Sequence, residues 1–397
     1  MALRRHRLIQ RRRAVGHSQE RLADRLNIER TTVGRWERAE TDPLPFIRPR
    51  LAKELGVTLE ELDGLLADVE TVQVERDERL EHAFNNPANV DLVAVAYLRQ
   101  RAQNLNDAYD STPSTLLLAS AGQCHGQVSY LREHAPDPRV RRQLWEVESE
   151  SATLMGQLVW DASQRSDHTT ALTFLDQAIA AARQVRDPVT EAHAHLRKSY
   201  VALYGVRDPH DGLVQAKRAA RTSKGTSHVL AGLALLHAAE AYAMMKDRNR
   251  CEKTLKAANF EFERRKASDP ASEHFSPTQY GRLAGSCYLF LDDPAKARSY
   301  LEETRARLSW KKSKAIALGN LGLAYIRLRQ LDAATRALHE AIDVVEQTRG
   351  GGGLNVVFKA GRELRTWRNE PLVQDVHDRM LALMTNERND AYGHGSG

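Results

Sequence analysis

Apolar residues recur along this chain with the spacing of helix faces, and the sharpest example lies near its start. In SQERLADRLNIERTTVGRWER (residues 18–38), Leu22, Ala23 and Leu26 mark one apolar face and Val33 and Trp36 a second. The stretch predicts two short helices joined by a tight turn. Ser18 suits the N-cap, where its hydroxyl accepts an orphan backbone N–H. Arg21 stands where a capping-box glutamate would. Asn27 tolerates the left-handed conformation that ends the first helix, Ile28 plugs the corner, and Glu29 to Arg38 forms the second helix. Upstream, Leu3 to Ala14 predicts a helix with Leu8 and Ile9 inward, ended at Gly16. Downstream, the turn TDPLP precedes a fourth helix, Phe46 to Leu55, stopped by Gly56. Thr58 and Glu61 form a capping box for a fifth, whose stripe is Leu59, Leu62, Leu65 and Leu66.

Residues 68–90 are charged and poor in large apolar side chains, which predicts a flexible, partly helical linker ending in NNPAN. From Asp91 the helical pattern runs almost to the end, with helices to near Asp110, over Leu116 to Glu133, and from Val140 to about Asp161. Internal repeats then set the architecture. In NLGLAYIRLRQLDAATRALHEA (residues 320–341), Leu321, Gly322 and Tyr325 fall on a first helix and Ala334, Leu338 and Ala341 on a second. The small residues let two antiparallel helices approach closely, and Tyr325 and Leu338 fill the groove between repeats. The offsets recur 37 residues earlier at Gly285, Tyr288, Ala297 and Leu301. They recur a further 46 earlier at Tyr242, Cys251 and Leu255, the longer gap holding an insertion around Lys266 to Pro277. Weaker matches lie at Ala171, Leu175 and Ala178, and at Gly212, Ala216 and Ala219. These offsets resemble those of the tetratricopeptide (TPR) repeat, which implies a TPR-like α-solenoid over residues 91–386. Gly350 to Gly353 predicts a flexible break, Leu354 to about Thr385 predicts capping helices, and residues 387–397 predict a disordered tail.

Composition supports an all-α chain of two or more domains: 397 residues, 42% apolar, only 6% aromatic. The net charge is +6, and its placement matters more than its size. Residues 1–53 hold 14 Lys/Arg against 6 Asp/Glu, whereas the remaining 44 Lys/Arg meet 46 Asp/Glu. The basic excess thus sits with the paired short helices, as phosphate contacts require. Cys124, Cys251 and Cys287 lack metal-ligand or pairing spacing, and the N-terminus has charges but no apolar core. The most apolar run, Val229 to Met245, is too short to span a membrane. These features predict a cytoplasmic, nucleoid-associated protein without membrane contact.

Arg30, Thr31, Gly34 and Arg35 are left on the outer face of the second short helix, with Thr32 beside them. In a helix-turn-helix, residues there reach base edges in the major groove. Arginine can bond guanine O6 and N7 together, and threonine can meet a base or the thymine methyl. On the first helix Arg4, Arg5, Arg7 and Arg11 to Arg13 are expected outside, with Arg12 on phosphate. From about Leu8 to Leu66 the chain resembles the Xre/Cro-type helix-turn-helix family, in SQERLADRL, IERTTVGRWERAE and LAKELGVTLEELDGLL. The resemblance implies a five-helix, lambda-repressor-like domain over residues 1–67, with Gln19 on phosphate and Arg30, Thr31 and Arg35 on bases. Asn27 and Ala39 stand where that family prefers Gly, and the second suggests an altered exit from the recognition helix. The GRWER segment followed by IRPRLAKELGV is most similar to regulators from actinobacteria.

A TPR array offers a concave side lined by the first helix of each pair. By offset this side carries Asn320, Leu323 and Arg327, then Arg282, Ser286 and Leu289, then His237, Glu240 and Met244. Asn320 can bond both backbone groups of a peptide, and Arg282 and Arg327 can capture a carboxylate. The combination resembles the RRNPP regulators, which bind secreted signalling peptides in their repeats. No phosphate-binding loop, nucleophile elbow or HExxH motif occurs, and His193 and His195 diverge by about 200° on a helix. No catalysis, metal or cofactor is expected. The reading is a homodimeric regulator that binds double-stranded operator DNA and senses a peptide, protein or small-molecule effector. The alternative is a TPR scaffold whose head no longer binds DNA.

Overall fold

The computed structural model describes residues 5–308 and 311–392, and the side chains of all of these except 6, 68–77 and 385–392. Among the described residues there is no strand, and no helix is long and apolar enough to cross a membrane. The chain divides into two compact units, Met1–Tyr97 and Leu98–Gly397.

The first unit contains α1 (His6–Ala14), α2 (Gln19–Leu26), α3 (Arg30–Glu37), α4 (Arg48–Leu55) and α5 (Leu59–Asn85). Their apolar stripes meet in one core built on Leu22, Leu26, Val33, Trp36, Leu51 and Leu62. The Ser18 hydroxyl accepts the Arg21 N–H at 3.0 Å. The Thr58–Glu61 capping box forms in both directions, at 2.8 and 3.1 Å. Asn27 ends α2 at φ 55°. Ala39 also holds a left-handed φ of 53°, so it keeps the glycine-like exit from α3 and does not alter it. The β-carbon strain of that conformation costs about 1–2 kcal/mol. The fourth helix begins two residues later than its apolar pattern suggests, and Phe46 is left 73% exposed. The expected linker is also more ordered in backbone than its composition implies. No glycine or proline interrupts residues 65–85, and α5 runs through to Asn85.

Beyond α6 (Leu92–Ala108) and α7 (Ser114–His134), helices alternate between an inner and an outer layer. The inner helices are α8 (Pro138–Ala162), α10 (Pro188–Tyr200), α12 (His228–Met244), α14 (Gln279–Phe290), α16 (Lys312–Arg327) and α18 (Gly351–Leu364). The outer ones are α9 (His168–Val185), α11 (Pro209–Thr222), α13 (Arg248–Glu263), α15 (Pro294–Arg305), α17 (Leu331–Thr348) and α19 (Pro371–Tyr392). Each inner helix packs on the next inner one and on its outer partner. The close approach is visible at Gly285 and Gly322, where a β-carbon would fall 2.5 Å from Leu301 and 2.8 Å from Leu338. A repeated turn reverses the chain. Arg207, Lys246 and Asp292 adopt left-handed φ of 61°, 63° and 57°, and the next residue, Asp208, Asp247 or Asp293, caps the outer helix. The segment expected to cap the array is thus a sixth pair of the same kind. Helical backbone of α19 runs to Tyr392 through part of the expected disordered tail, and residues 393–397 lie outside the described residues.

The array returns on itself. Lys312, opening α16, places Nζ 2.9 Å from Oδ2 of Asp161 near the end of α8, and both side chains are buried. Ser114 donates to that carboxylate oxygen at 2.8 Å and accepts from Lys312 Nζ at 2.8 Å. The Gly351 N–H donates to Asp161 Oδ1 at 3.0 Å, and the Lys312 N–H to the Asp110 carbonyl at 2.9 Å. Helix α18 therefore meets α8, and the inner helices form a closed ring. Gly351 to Gly353 are not the flexible break that their composition suggests. They are the buried first turn of α18, needed because a β-carbon on Gly351 would lie 3.0 Å from the Asp161 carbonyl oxygen and one on Gly353 2.7 Å from Ala315.

Two substitutions test this account by urea or thermal unfolding. Ala39→Gly should stabilise the first unit by about 0.5–1 kcal/mol, the relieved strain being partly offset by unfolded-chain entropy. Lys312→Met, which leaves Asp161 buried and unpaired, should cost about 3–5 kcal/mol, and adding Asp161→Leu should restore much of that. A neutral Lys312→Met would show that the pair does not hold the ring closed.

Candidate nucleic-acid interface and central cavity

On α3, Arg30, Thr31 and Arg35 are exposed and Thr32 is half-buried. Val33 and Trp36 face the core and so fix which side of the helix is presented. Arg30 Nε lies 2.8 Å from Glu20 Oε1, with both side chains more than half exposed. Such a surface pair contributes about 0–1 kcal/mol and yields readily to another anion. Thr31 donates to the Glu29 carboxylate at 3.1 Å. Gly34 is buried and not part of the outer face, because the Arg38 guanidinium lies over it, 3.1 Å from where a β-carbon would be.

Glu37, at the end of α3, is a buried junction for the other helices. Arg12 Nε donates to its Oε1 at 2.5 Å, and Gln19 Nε2 donates to its Oε2 at 2.5 Å. Arg12 also donates to the His17 carbonyl at 2.7 Å, and its side chain is only 7% exposed. The expected phosphate contact of Arg12 is therefore corrected: its guanidinium holds α1 against α3. Gln19 remains at the first residue of α2, half-buried, with its amide on Glu37. Arg5 is likewise inside. It donates to the carbonyls of Leu66 and Trp36 at 2.8 Å each and pairs with Asp42. Arg11 donates to the Leu55 and Gly56 carbonyls at 2.8 and 2.6 Å. Arg4 lies outside the described residues. Periodicity could not separate these arginines, because a guanidinium reaching a neighbouring carbonyl reads in sequence like one reaching solvent.

The ring of inner helices encloses a cavity of about 1010 Å³. His237, Arg282, Ser286 and Asn320 line it, as their offsets predict, together with Glu240 and Met244. Arg327 does not. Its Nη2 pairs with Glu363 at 2.9 Å and its Nη1 donates to the Leu289 carbonyl at 2.8 Å. Leu289 and Leu323 are buried in the apolar core between the helix layers, one helical position away from the lumen.

One wall of the cavity is a buried polar cluster. Tyr204 stands on a π-helical stretch, Val201–Val206, that follows α10. Its hydroxyl donates to Glu240 and lies 2.8 Å from His237 Nδ1. Burial alone would raise the Glu240 carboxyl, but bonds from His237, Ser286 and Tyr204 outweigh it and hold the group below its usual range. Burial keeps the His237 imidazole below its ordinary pKa. The widened turn accommodates its neighbours at Gly205, where a β-carbon would fall 2.6 Å from His168 Nε2. The insertion after α13 forms another part of the lining. Asp269 accepts from the Ser227 hydroxyl at 2.6 Å and from the His228 N–H at 2.8 Å, capping α12. This anchors the loop so that the His274 ring packs against that of His193, centroids 4.2 Å apart and planes tilted by 33°. Burial lowers His274 to about 4 and His193 far below its ordinary value. His195 points elsewhere, with Nδ1 3.1 Å from the Gln215 side-chain oxygen. Trp160, Arg165, Tyr200, Tyr204 and Lys312 also line the cavity. The sequence reading missed the first four because their repeats are degenerate, and Lys312 because it lies at the start of α16, ahead of the positions whose offsets repeat.

Residues 8–62 match the family model described as helix-turn-helix. The first unit carries an Xre-type helix-turn-helix domain. In it α2 and α3 are the two motif helices, and the fit of Asn27 and Ile28 between them is the turn. The chain thus carries a helix-turn-helix domain, of a DNA-binding family, followed by an array of paired helices. No curated protein matches. Two solved structures are similar at low identity. PlcR of Bacillus thuringiensis, solved in complex with the peptide PapR7 and DNA, is 12% identical, the match covering 77% of this chain and 98% of PlcR at a TM-score of 0.28. A Signal Transduction ATPase with Numerous Domains from Pyrococcus horikoshii, with a tetratricopeptide repeat sensor, is 14% identical. That match covers 96% of this chain and 65% of the other at a TM-score of 0.35. Both scores are too low for a shared arrangement to be assigned from them.

Within the helix-turn-helix domain, buried and exposed arginines should separate cleanly. Arg12→Ala, which strands Glu37, should destabilise the domain by about 3–5 kcal/mol. Arg35→Ala should leave unfolding unchanged within about 0.5 kcal/mol and cost about 1–3 kcal/mol of discrimination at one base position. Chemical unfolding beside DNA-binding titrations measures both. Equal stability losses from the two changes would mean that Arg35 is structural.

Proposed function

We propose that this protein is a sequence-specific transcription regulator that binds operator DNA as a homodimer and answers to an effector held in the closed repeat ring. The observation that carries the DNA reading is the outer face of α3. Arg30, Thr31 and Arg35 are presented there, whereas Arg5, Arg11 and Arg12 nearby are engaged in the fold. One recognition helix covers a few base pairs, so two half-sites and a two-fold dimer supply the length that an operator needs. Gln19 at the N-terminus of α2 and Thr32 beside the base-reading residues complete the contact surface.

The effector reading rests on the cavity. A lumen of about 1010 Å³ lies at the upper end of the range of ligand sites, and a polar wall of Tyr204, His237 and Glu240 lines it. Asn320, Arg282, Ser286 and His237 serve as ligand contacts, while Arg327 supports the wall through Glu363. A ligand that binds two arrangements of the ring unequally shifts their populations, and that shift is what the DNA-binding domain answers to.

Selection of bound fragments from a genomic DNA pool tests the reading, with wild type and the Arg30→Ala/Arg35→Ala double variant side by side. Wild type should enrich a two-fold symmetric motif and the variant should not. Equal enrichment by both would remove α3 as the reader. Enrichment by neither, with the repeats still capturing protein partners, would favour a scaffold.

A further inference from the structure

The lining of the cavity carries positive charge that its own carboxylates do not match. Of those carboxylates, Asp161 is held by Lys312, Glu363 by Arg327, and Glu240 by His237 and Tyr204. Asp107, Asp110 and Glu273 also line the space, and Asp110 lies 3.7 Å from Lys311. Arg207 and Arg362 aside, three more arginines of the lining make no ion pair among the described residues and bear on its aromatic wall. Arg165 lies over the Trp160 ring at 4.6 Å and the Tyr204 ring at 5.7 Å, and its Nε is buried without a hydrogen-bond partner. Arg197 lies over the Tyr200 ring at 5.2 Å and donates only to His193, at 3.2 Å. Arg282 acts electrostatically on Tyr200, Tyr204 and His237.

The three guanidiniums line one cavity. Arg165 and Arg197 both act on Tyr109, and Arg197 and Arg282 both act on Tyr200 and His237. Tyr200 and Tyr204 stand between them, ring centroids 6.1 Å apart. Burial holds His193 and His274 well below their ordinary values, so they add no charge. Of the carboxylates, Glu240 acts on the Tyr200–Tyr204 wall, while Asp161 and Asp110, which act on Tyr109 beside Arg165 and Arg197, are matched by Lys312 and Lys311. Once Asp161 and Asp110 are matched by lysines, three guanidiniums against Glu240 leave a positive excess that a half-buried site tolerates poorly. Guanidiniums flattened on aromatic faces also keep their donor edges free for carboxylate or phosphate oxygens.

We propose that the ligand of this cavity is an organic anion whose carboxylate or phosphate group is bound by Arg165, Arg197 and Arg282 against the Tyr200–Tyr204 wall. This rests on reading the cavity as the effector site, and it adds the chemical class of the effector. The aromatic faces suit a ligand with an apolar or planar body beside its anionic group.

Thermal unfolding of the full chain tests the proposal without DNA, so its outcome is separate from that of the operator selection. Citrate serves as the carboxylate probe, and inorganic phosphate and adenosine monophosphate as the phosphate probes, each titrated against chloride at matched ionic strength. At least one probe should raise the unfolding temperature saturably, and the identity of the effective probe assigns the anion. Arg165→Gln with Arg282→Gln should weaken that response at least tenfold, and Arg282→Lys should retain part of it. Without a probe, the double variant should unfold at or above the wild-type temperature, because it removes uncompensated charge. No saturable response to any probe, an equal response in the double variant, or a lower unfolding temperature for the probe-free variant would each overturn the proposal.

Discussion

A single buried ion pair decides the form of the repeat unit. Lys312 and Asp161 lie 151 residues apart in sequence, and their contact joins the opening of α16 to the end of α8. Solenoids ordinarily run open, because each repeat touches only its neighbours. Here the sixth inner helix meets the first. Taking a lysine and an aspartate out of water costs several kcal/mol per ion, which only good geometry and further hydrogen bonds offset. Ser114 and the Gly351 N–H supply those bonds, and glycine at the start of α18 lets its backbone come near enough to do so. Unlike the apolar interfaces between successive helices, this seam is held by polar groups, and the cavity exists because the seam is closed.

The helix-turn-helix domain uses charge in the same way on a smaller scale. Its basic excess reads in sequence as one electrostatic surface, yet the arginines divide into two populations. Arg5, Arg11 and Arg12 satisfy carbonyls and the Glu37 carboxylate, and the core around Trp36 sets the angle at which α3 leaves them. Arg30 and Arg35 stand on the opposite side of that helix. Structural cations thus position the exposed cations of α3. Removing the first kind acts on the stability of the domain, whereas removing the second changes only the surface it presents.

Sequence legibility followed from how local each determinant is. Caps at Ser18 and Thr58, the left-handed Asn27 and the inward Val33 and Trp36 are set within one or two helical turns, and they stand where periodicity places them. The same holds for Gly285 and Gly322, whose offsets report a pairwise packing distance. The closure at Lys312, the burial of Arg12 and the tethering of Arg327 by Glu363 depend on partners far away in sequence or on a neighbouring repeat. No spacing rule carries that information. Gly350 to Gly353 misled because a glycine run marks flexibility and close approach equally well, and only the neighbouring backbone decides between them. A better signal was available in the repeated left-handed residue followed by aspartate, at 207/208, 246/247 and 292/293, which marks three successive reversals from inner to outer helix.

The cavity shows why its residues were the hardest to find. Repeats keep their offsets where helices pack against each other, since a change there opens a void or forces an overlap. Positions facing the lumen are released from that constraint. Tyr204 and Arg165 lie at the ends of inner helices, one on a π-helical turn and one in a left-handed conformation at φ 66°, where the repeat pattern is already broken. Departures of this kind cost stability and persist when the surrounding structure holds them in place. A chain that conserves its packing positions and disturbs the ends of its inner helices concentrates those departures around one enclosed space, which is where a ligand would find them.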